Sequence, residues 1–224
     1  MRGKLLTILT ASMLAFAVPP ASAESEGDNA YRRGDFAGAM VEWQQVAQAG
    51  DATASYRIGQ LYRQGDGLRY RDFEKAVYWY QRAASRGYVP AQYEVARLQF
   101  ESLVVPRGID EMMFWLWRAA LSGHAESQVM LGAVYEYGEP SVPANYTEAL
   151  KWYLIAAKSG TPKLQARARK LADRVSAKMT KQQIDAARWL ASEWAMNDTL
   201  RVAEAYGVAG VSRSNRPSSL SVSK

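Results

Sequence analysis

Residues 75–87 read KAVYWYQRAASRG, three aromatics in a row, then an alanine pair and a glycine. The stretch returns as EMMFWLWRAALSG at 111–123 and as EALKWYLIAAKSG at 148–160. Gly50, Gly87, Gly123 and Gly160 are spaced by 37, 36 and 37 residues. Trp79, Trp115 and Trp152 keep one offset to these glycines, as do Ala83-Ala84, Ala119-Ala120 and Ala156-Ala157. Ala39, Ala76, Met112 and Ala149 keep another, and IGQLY (58–62), VARLQ (95–99) and LGAVY (131–135) follow the glycines in register. Many independent positions sharing one period identify an array of repeats. Aromatics that recur in every unit read as scaffold, filling the gaps between units, rather than as a ligand platform.

Each unit contains two helical stretches. The first is expected to begin about four residues past the glycine, as in ASYRIGQLYRQG, with Ala54, Ile58, Leu61 and Tyr62 on one face. The second is DFEKAVYWYQRAASRG, with Asp72 as N-cap and Phe73, Ala76, Val77, Tyr80 and Ala84 on one face. Gly87 supplies the left-handed residue that closes it. A single hairpin of this kind cannot bury its apolar face. Stacked hairpins can, with the alanines as points of close approach, so the expected fold is all-α: a right-handed α-solenoid of stacked αα-hairpins.

The residues at this point carry a resemblance. The segment GDGLRYRDFEKAVYWYQRAASRGYVPAQYEVARL resembles the SEL-one-like repeat (SLR) family, relatives of tetratricopeptide repeats. The matching positions are Ala54, Ile58-Gly59, Tyr62, Gly65 and Gly67, then Asp72, Lys75-Ala76, Trp79-Tyr80, Ala83-Ala84 and Gly87. The similarity is sharpest here and in residues 125–160, and covers roughly 27–196 with the capping units. It implies an interaction module that carries no cofactor. Family members serve as adaptors and regulators in envelope signalling, exopolysaccharide control and envelope assembly. Some secreted members are linked to β-lactam binding or hydrolysis, but those are cysteine-rich and this chain has no Cys, so that trait is not carried over.

The departures from the pattern divide the chain. Residues 27–50 form a shorter hairpin whose Trp43 falls in the register of Tyr80 and Tyr153, an N-terminal capping unit. Full units follow at 51–87, 88–123 and 124–160. The middle one has Ala96, Ser102 and Val104 where glycines are expected, so its loop is either degenerate or specialised. The last carries Pro140 and Pro143 in its loop. Residues 161–196 read as capping helices. Thr161 with Pro162 starts one, and Thr180 with Gln183 forms a capping box for the other. Residues 197–224 end in a Gly/Ser-rich run and read as a disordered tail.

The first 23 residues read as a cleaved signal peptide. MRGK is basic, LLTILTASMLAFAV is an apolar run too short to span a bilayer comfortably, and Ala21-Ser22-Ala23 fits signal peptidase. The expected location is the periplasm or beyond, with no transmembrane segment in the mature chain. The net charge of +6 falls to +4 once Arg2 and Lys4 are removed. Export makes nucleic acid an unfit partner for this basic chain and favours an acidic protein face or an anionic polysaccharide.

The chain holds a single His and no Cys, which excludes thiol chemistry and leaves zinc short of ligands. His124, after Gly123, reads as turn chemistry. Asp110-Glu111 and Glu136 with Glu139 lack metal-loop spacing, and GDG at 65–67 is too short for a phosphate loop. No catalytic, cofactor or metal residue is assigned, and the chain reads as a non-enzyme. An anionic-polysaccharide or peptidoglycan scaffold is the alternative to a protein-binding adaptor, and a cell-wall or β-lactam hydrolase stands behind both. What remains is the face of each first helix opposite the core stripe: Tyr56, Gln60 and Arg63; Tyr93, Arg97 and Phe100; Val129, Ala133 and Glu136. In tetratricopeptide-like solenoids this face lines the concave groove, and Tyr and Arg are residue types that dominate interfaces. Tyr56 and Tyr93 could equally pack between neighbouring repeats.

Overall fold

The computed structural model of the protein describes residues 25–101, 109–139 and 142–205. The expected signal peptide, most of the loop at 101–110, and residues 206–224 of the expected tail lie outside these. Ten helices run in order: α1 (Glu26–Arg32), α2 (Phe36–Gln48), α3 (Ala52–Gln64), α4 (Phe73–Ser85), α5 (Val89–Phe100), α6 (Ile109–Leu121), α7 (Ala125–Tyr137), α8 (Tyr146–Ala156), α9 (Pro162–Ser176) and α10 (Lys181–Ala205), counted among the described residues. Successive helices pack on one another from α1 to α9, and α10 lies along α8. This is the stacked-hairpin solenoid.

Local chemistry sets the boundaries. Asp72 accepts from the Lys75 N–H at 2.9 Å, Asn145 from the Glu148 N–H, and Thr161 from the Leu164 N–H. Each satisfies a donor that the first helical turn leaves free. The capping box is present: Thr180 N–H donates to Gln183 Oε1 at 2.9 Å, and Gln183 N–H to Thr180 Oγ1 at 3.3 Å. Gly87 and Gly123 hold φ of 85° and 82°. The chain reverses there so that Tyr88 and His124 N–H reach back to the carbonyls of Ala83 and Ala119. Buried Gln92 and Gln128 then donate across the hairpin junctions to the carbonyls of Ala84 and Ala120.

Two boundaries differ from expectation. The first helix of each unit starts two residues past the glycine rather than four: Asp51 and His124 cap two of them by side-chain bonds immediately after the turn, and the middle one, behind Tyr88, starts with Pro90 in its first turn. The last helix runs through Ala205 rather than ending near Asn197. No Gly or Pro interrupts residues 197–205, and Gly207 is the first breaker beyond them.

The two helices within a hairpin are joined by one steric device. A Cβ built on Gly59 would come within 2.6 Å of the Tyr80 ring; one on Gly132 would overlap Tyr153, and one on Gly27 would overlap Trp43. Glycine is what lets these aromatics, each at most 3% exposed, press against the facing helix. The middle unit holds Ala96 instead, and there the large ring is replaced by Leu116; both are fully buried in one cluster. The departure from glycine is therefore matched by a smaller partner. The opening aromatic triplet divides its labour: Tyr80 is fully buried, Trp79 half-buried beneath Arg82 at 5.0 Å, and Tyr78 exposed.

Candidate interaction groove

The first helices of the units, α3, α5 and α7, together with α9 line one side of the stack. Among the described residues a groove of about 410 Å³ opens between α5, α7 and α9. From α5 come Tyr93, Arg97 and Phe100; from α7, Glu126, Val129, Ala133 and Tyr137; from α9, Leu164, Arg167, Leu171 and Arg174. Its lining mixes apolar and charged side chains, and Phe100 and Tyr137 are 43% and 68% exposed.

The sequence-derived stripe is partly gathered here. Tyr93, Arg97, Phe100, Val129 and Ala133 line the groove; Tyr56, Gln60 and Arg63 do not. Tyr56 packs against Tyr80 and Tyr88, with ring centroids 5.4 and 5.0 Å away, so for this residue inter-helix packing is the role. Burial pushes its phenol pKa up. Gln60 is half-buried on α3. Arg63 reaches Glu94 at 3.9 Å. Tyr93 lines the groove and also packs on His124, with centroids 4.9 Å apart. Arg97 is pinned at 2.7 Å by both Glu94 and Glu101. Burial disfavours its charge, but those two carboxylates outweigh burial and hold the guanidinium ionised.

Glu136 is not a groove surface. It is 3% exposed and accepts from Tyr153 Oη at 3.0 Å, Arg174 at 2.7 Å and Lys178 at 3.2 Å. Burial raises its pKa, yet the bonds from Arg174, Tyr153 and Lys178 prevail and hold it below the usual carboxylate range. It thus fastens the last repeat to α9. His124 caps α7, its Nδ1 accepting from the Ser127 N–H at 3.3 Å, and burial lowers its pKa toward the neutral form that can accept. No group of three or more metal-ligating side chains occurs among the described residues, and no described helix is long and apolar enough to cross a membrane.

The α9 wall was not among the sequence candidates. Pro162 stands two residues past Gly160, where the first helix of a further unit would begin. Counted from Gly160 as Tyr56, Gln60 and Arg63 are from Gly50, the equivalent stripe on α9 is Ala166, Lys170 and Asp173. The helix instead presents Leu164, Arg167, Leu171 and Arg174, a face held toward α7 by the Glu136 bonds.

The Sel1 repeat family model matches residues 52–88, 89–124 and 125–161. Chitin synthase regulatory factor 3 of Schizosaccharomyces pombe is 31% identical over 127 residues, 56% of this chain and 14% of the fungal protein. Chitin synthase regulator SKT5 of Saccharomyces cerevisiae is 30% identical over 132 residues, 56% of this chain and 19% of that one. The chain thus spans less than a fifth of either relative. In structure, it is similar to a protective antigen present in uropathogenic Escherichia coli strains that displays an SLR fold. The TM-score is 0.63 and the identity 21%, over 81% of this chain and 38% of the antigen.

Proposed function

Because this chain is a Sel1-repeat protein, we propose that it is an exported, non-enzymatic adaptor or regulator that holds a segment of a partner protein in the α5–α7–α9 groove. Sel1-repeat proteins mediate protein–protein interaction, and both fungal relatives are named as regulators. The observation that carries the reading is the groove itself: a trough of about 410 Å³ lined by both apolar and charged side chains, with Phe100 and Tyr137 left exposed. Concave apolar sites with a few placed polar groups are where ligands bind, and exposed aromatics there can serve as anchors.

A photo-crosslinking residue at Ala133, inside the groove, is expected to yield partner adducts in cells. The same residue at Tyr78, exposed on the second helix of its hairpin, is not. Equal adducts at both positions, or adducts only at Tyr78, would sink the groove assignment. An anionic polysaccharide as ligand would instead show as adducts that resist protease and yield to glycosidase. Export rests on the basic start, the apolar run and Ala21-Ser22-Ala23. It predicts a periplasmic protein whose N-terminal residue is Glu24, read by terminal sequencing.

A further inference from the structure

We infer that the segment received by the groove is acidic, a chain in which apolar side chains alternate with Asp or Glu. The inference rests on the groove reading above and specifies its ligand. Along the α9 wall, Leu164, Arg167, Leu171 and Arg174 follow one another at i, i+3, i+7 and i+10, so aliphatic anchors and guanidiniums alternate on one helical edge. The helix as a whole carries Lys163, Arg167, Arg169, Lys170 and Arg174 against Asp173 alone.

Nearby acids do not neutralise this wall. Glu94 and Glu101 are bonded to Arg97. Among the described residues, Glu136 is the one acid paired with both Arg174 and Lys178. Glu126 stands on the opposite wall, half-exposed beside a His124 that burial holds toward neutrality, so it remains a free acid of the α7 wall but makes no ion pair with α9 among the described residues. Arg167 is exposed and has no ion pair or side-chain hydrogen bond among the described residues. A groove with an unmatched guanidinium favours an anionic partner by charge complementarity. The aliphatic lining decides which anion. Ala133, Leu164 and Leu171 offer aliphatic surface that apolar side chains can cover, so a segment combining acidic and apolar residues uses both parts of the wall, which a polyanion without apolar groups does not.

The test uses the purified protein and three fluorescein-labelled 12-residue peptides with the same Leu and Ala content. Their remaining positions are Glu, Lys or Ser, and binding is read by anisotropy. The Glu peptide is expected to bind about tenfold tighter than the Ser peptide and to weaken with salt. Arg167→Glu is expected to remove that advantage and to make the Lys peptide the tighter one, with thermal melting little changed because Arg167 is exposed and makes no ion pair or side-chain hydrogen bond among the described residues. Equal binding of the Glu and Ser peptides, indifference to Arg167→Glu, or no binding by any peptide would overturn the acidic preference. So would dextran sulfate binding where no peptide does, which would assign the wall to a polyanion. Ala133→Trp, which fills the groove, and Phe100→Ala separate the two levels. Glu-peptide binding undiminished by both would overturn the groove itself. Loss of a Ser- or Lys-peptide preference in both would keep the groove and overturn only the acidity.

Discussion

The repeat built on α3 and α4 and the repeat built on α7 and α8 share one joint and end it differently. In the first, Gly59 admits the ring of Tyr80; in the second, Gly132 admits that of Tyr153. Both rings are fully buried. Beyond the rings the two diverge. Tyr153 donates to Glu136, which also receives Arg174 from α9 and Lys178 from just past its end. Among the described residues the Tyr80 hydroxyl makes no hydrogen bond of good geometry and meets no carboxylate; the residue in the Glu136 register is Arg63, near the hydroxyl and directed to Glu94 at 3.9 Å. The steric joint belongs to the repeat. The polar lock belongs to one place in the array, where the stack must be closed by a helix that is not a full repeat. Terminal units of solenoids have only one neighbour to hold them, and the lock supplies a directional contact there.

The comparison can be broken most severely at the joint. Gly132→Val is expected to destabilise by about 3 kcal/mol, since overpacking a filled contact forces the backbone apart. Gly132→Ala combined with Tyr153→Leu should recover much of the loss, because it reproduces the Ala96–Leu116 pairing of the middle unit. Denaturant unfolding reads both, and a double variant no more stable than Gly132→Val would refute the joint.

Glu136→Gln is expected to cost about 2 kcal/mol. Removing a buried carboxylate strands its donors, but Arg174 and Lys178 are half-exposed and recover solvation. The same lock gives the fold an acid limb. The folded pKa of Glu136 lies below the ordinary carboxylate value of about 4.3. Its stabilisation is therefore complete above that value and is lost as pH falls through the lower, folded one. Wild-type stability should drop across this window more steeply than that of Glu136→Gln, measured by melting at stepped pH.

The hydroxyls sharpen the contrast on a smaller scale. Tyr153→Phe is expected to cost about 1 kcal/mol, the worth of one hydrogen bond to a charged group discounted for the two donors that remain. Tyr80→Phe should change stability by no more than about 0.5 kcal/mol, because its hydroxyl is buried without a hydrogen bond of good geometry. Equal costs at the two sites would erase the distinction between an open and a locked repeat.

Much of the scaffold was legible because it is written locally and then repeated. Asp72, Thr161 and the Thr180–Gln183 box act within three residues of themselves, so a short window suffices to find them. Half of the groove was legible for the same reason: Tyr93, Arg97 and Phe100 share one helix. The rest was not, because its contacts cross long separations. Glu136 meets residues 38 and 42 positions later, and nothing in YEYG marks its carboxylate as buried. Tyr56 belongs to the exposed stripe by offset, yet the adjacent Tyr80 and Tyr88 take up its ring.

By itself, the sequence determined the period, the helix pairs, the caps and the absence of thiol chemistry, since each depends on residue type and spacing. The tertiary structure alone decided which faces of α5, α7 and α9 meet, and so where the groove lies and which charges remain unmatched in it. Helix rotation and stacking are set by packing and by long-range bonds such as those to Glu136, whose energies exist only once the hairpins are assembled.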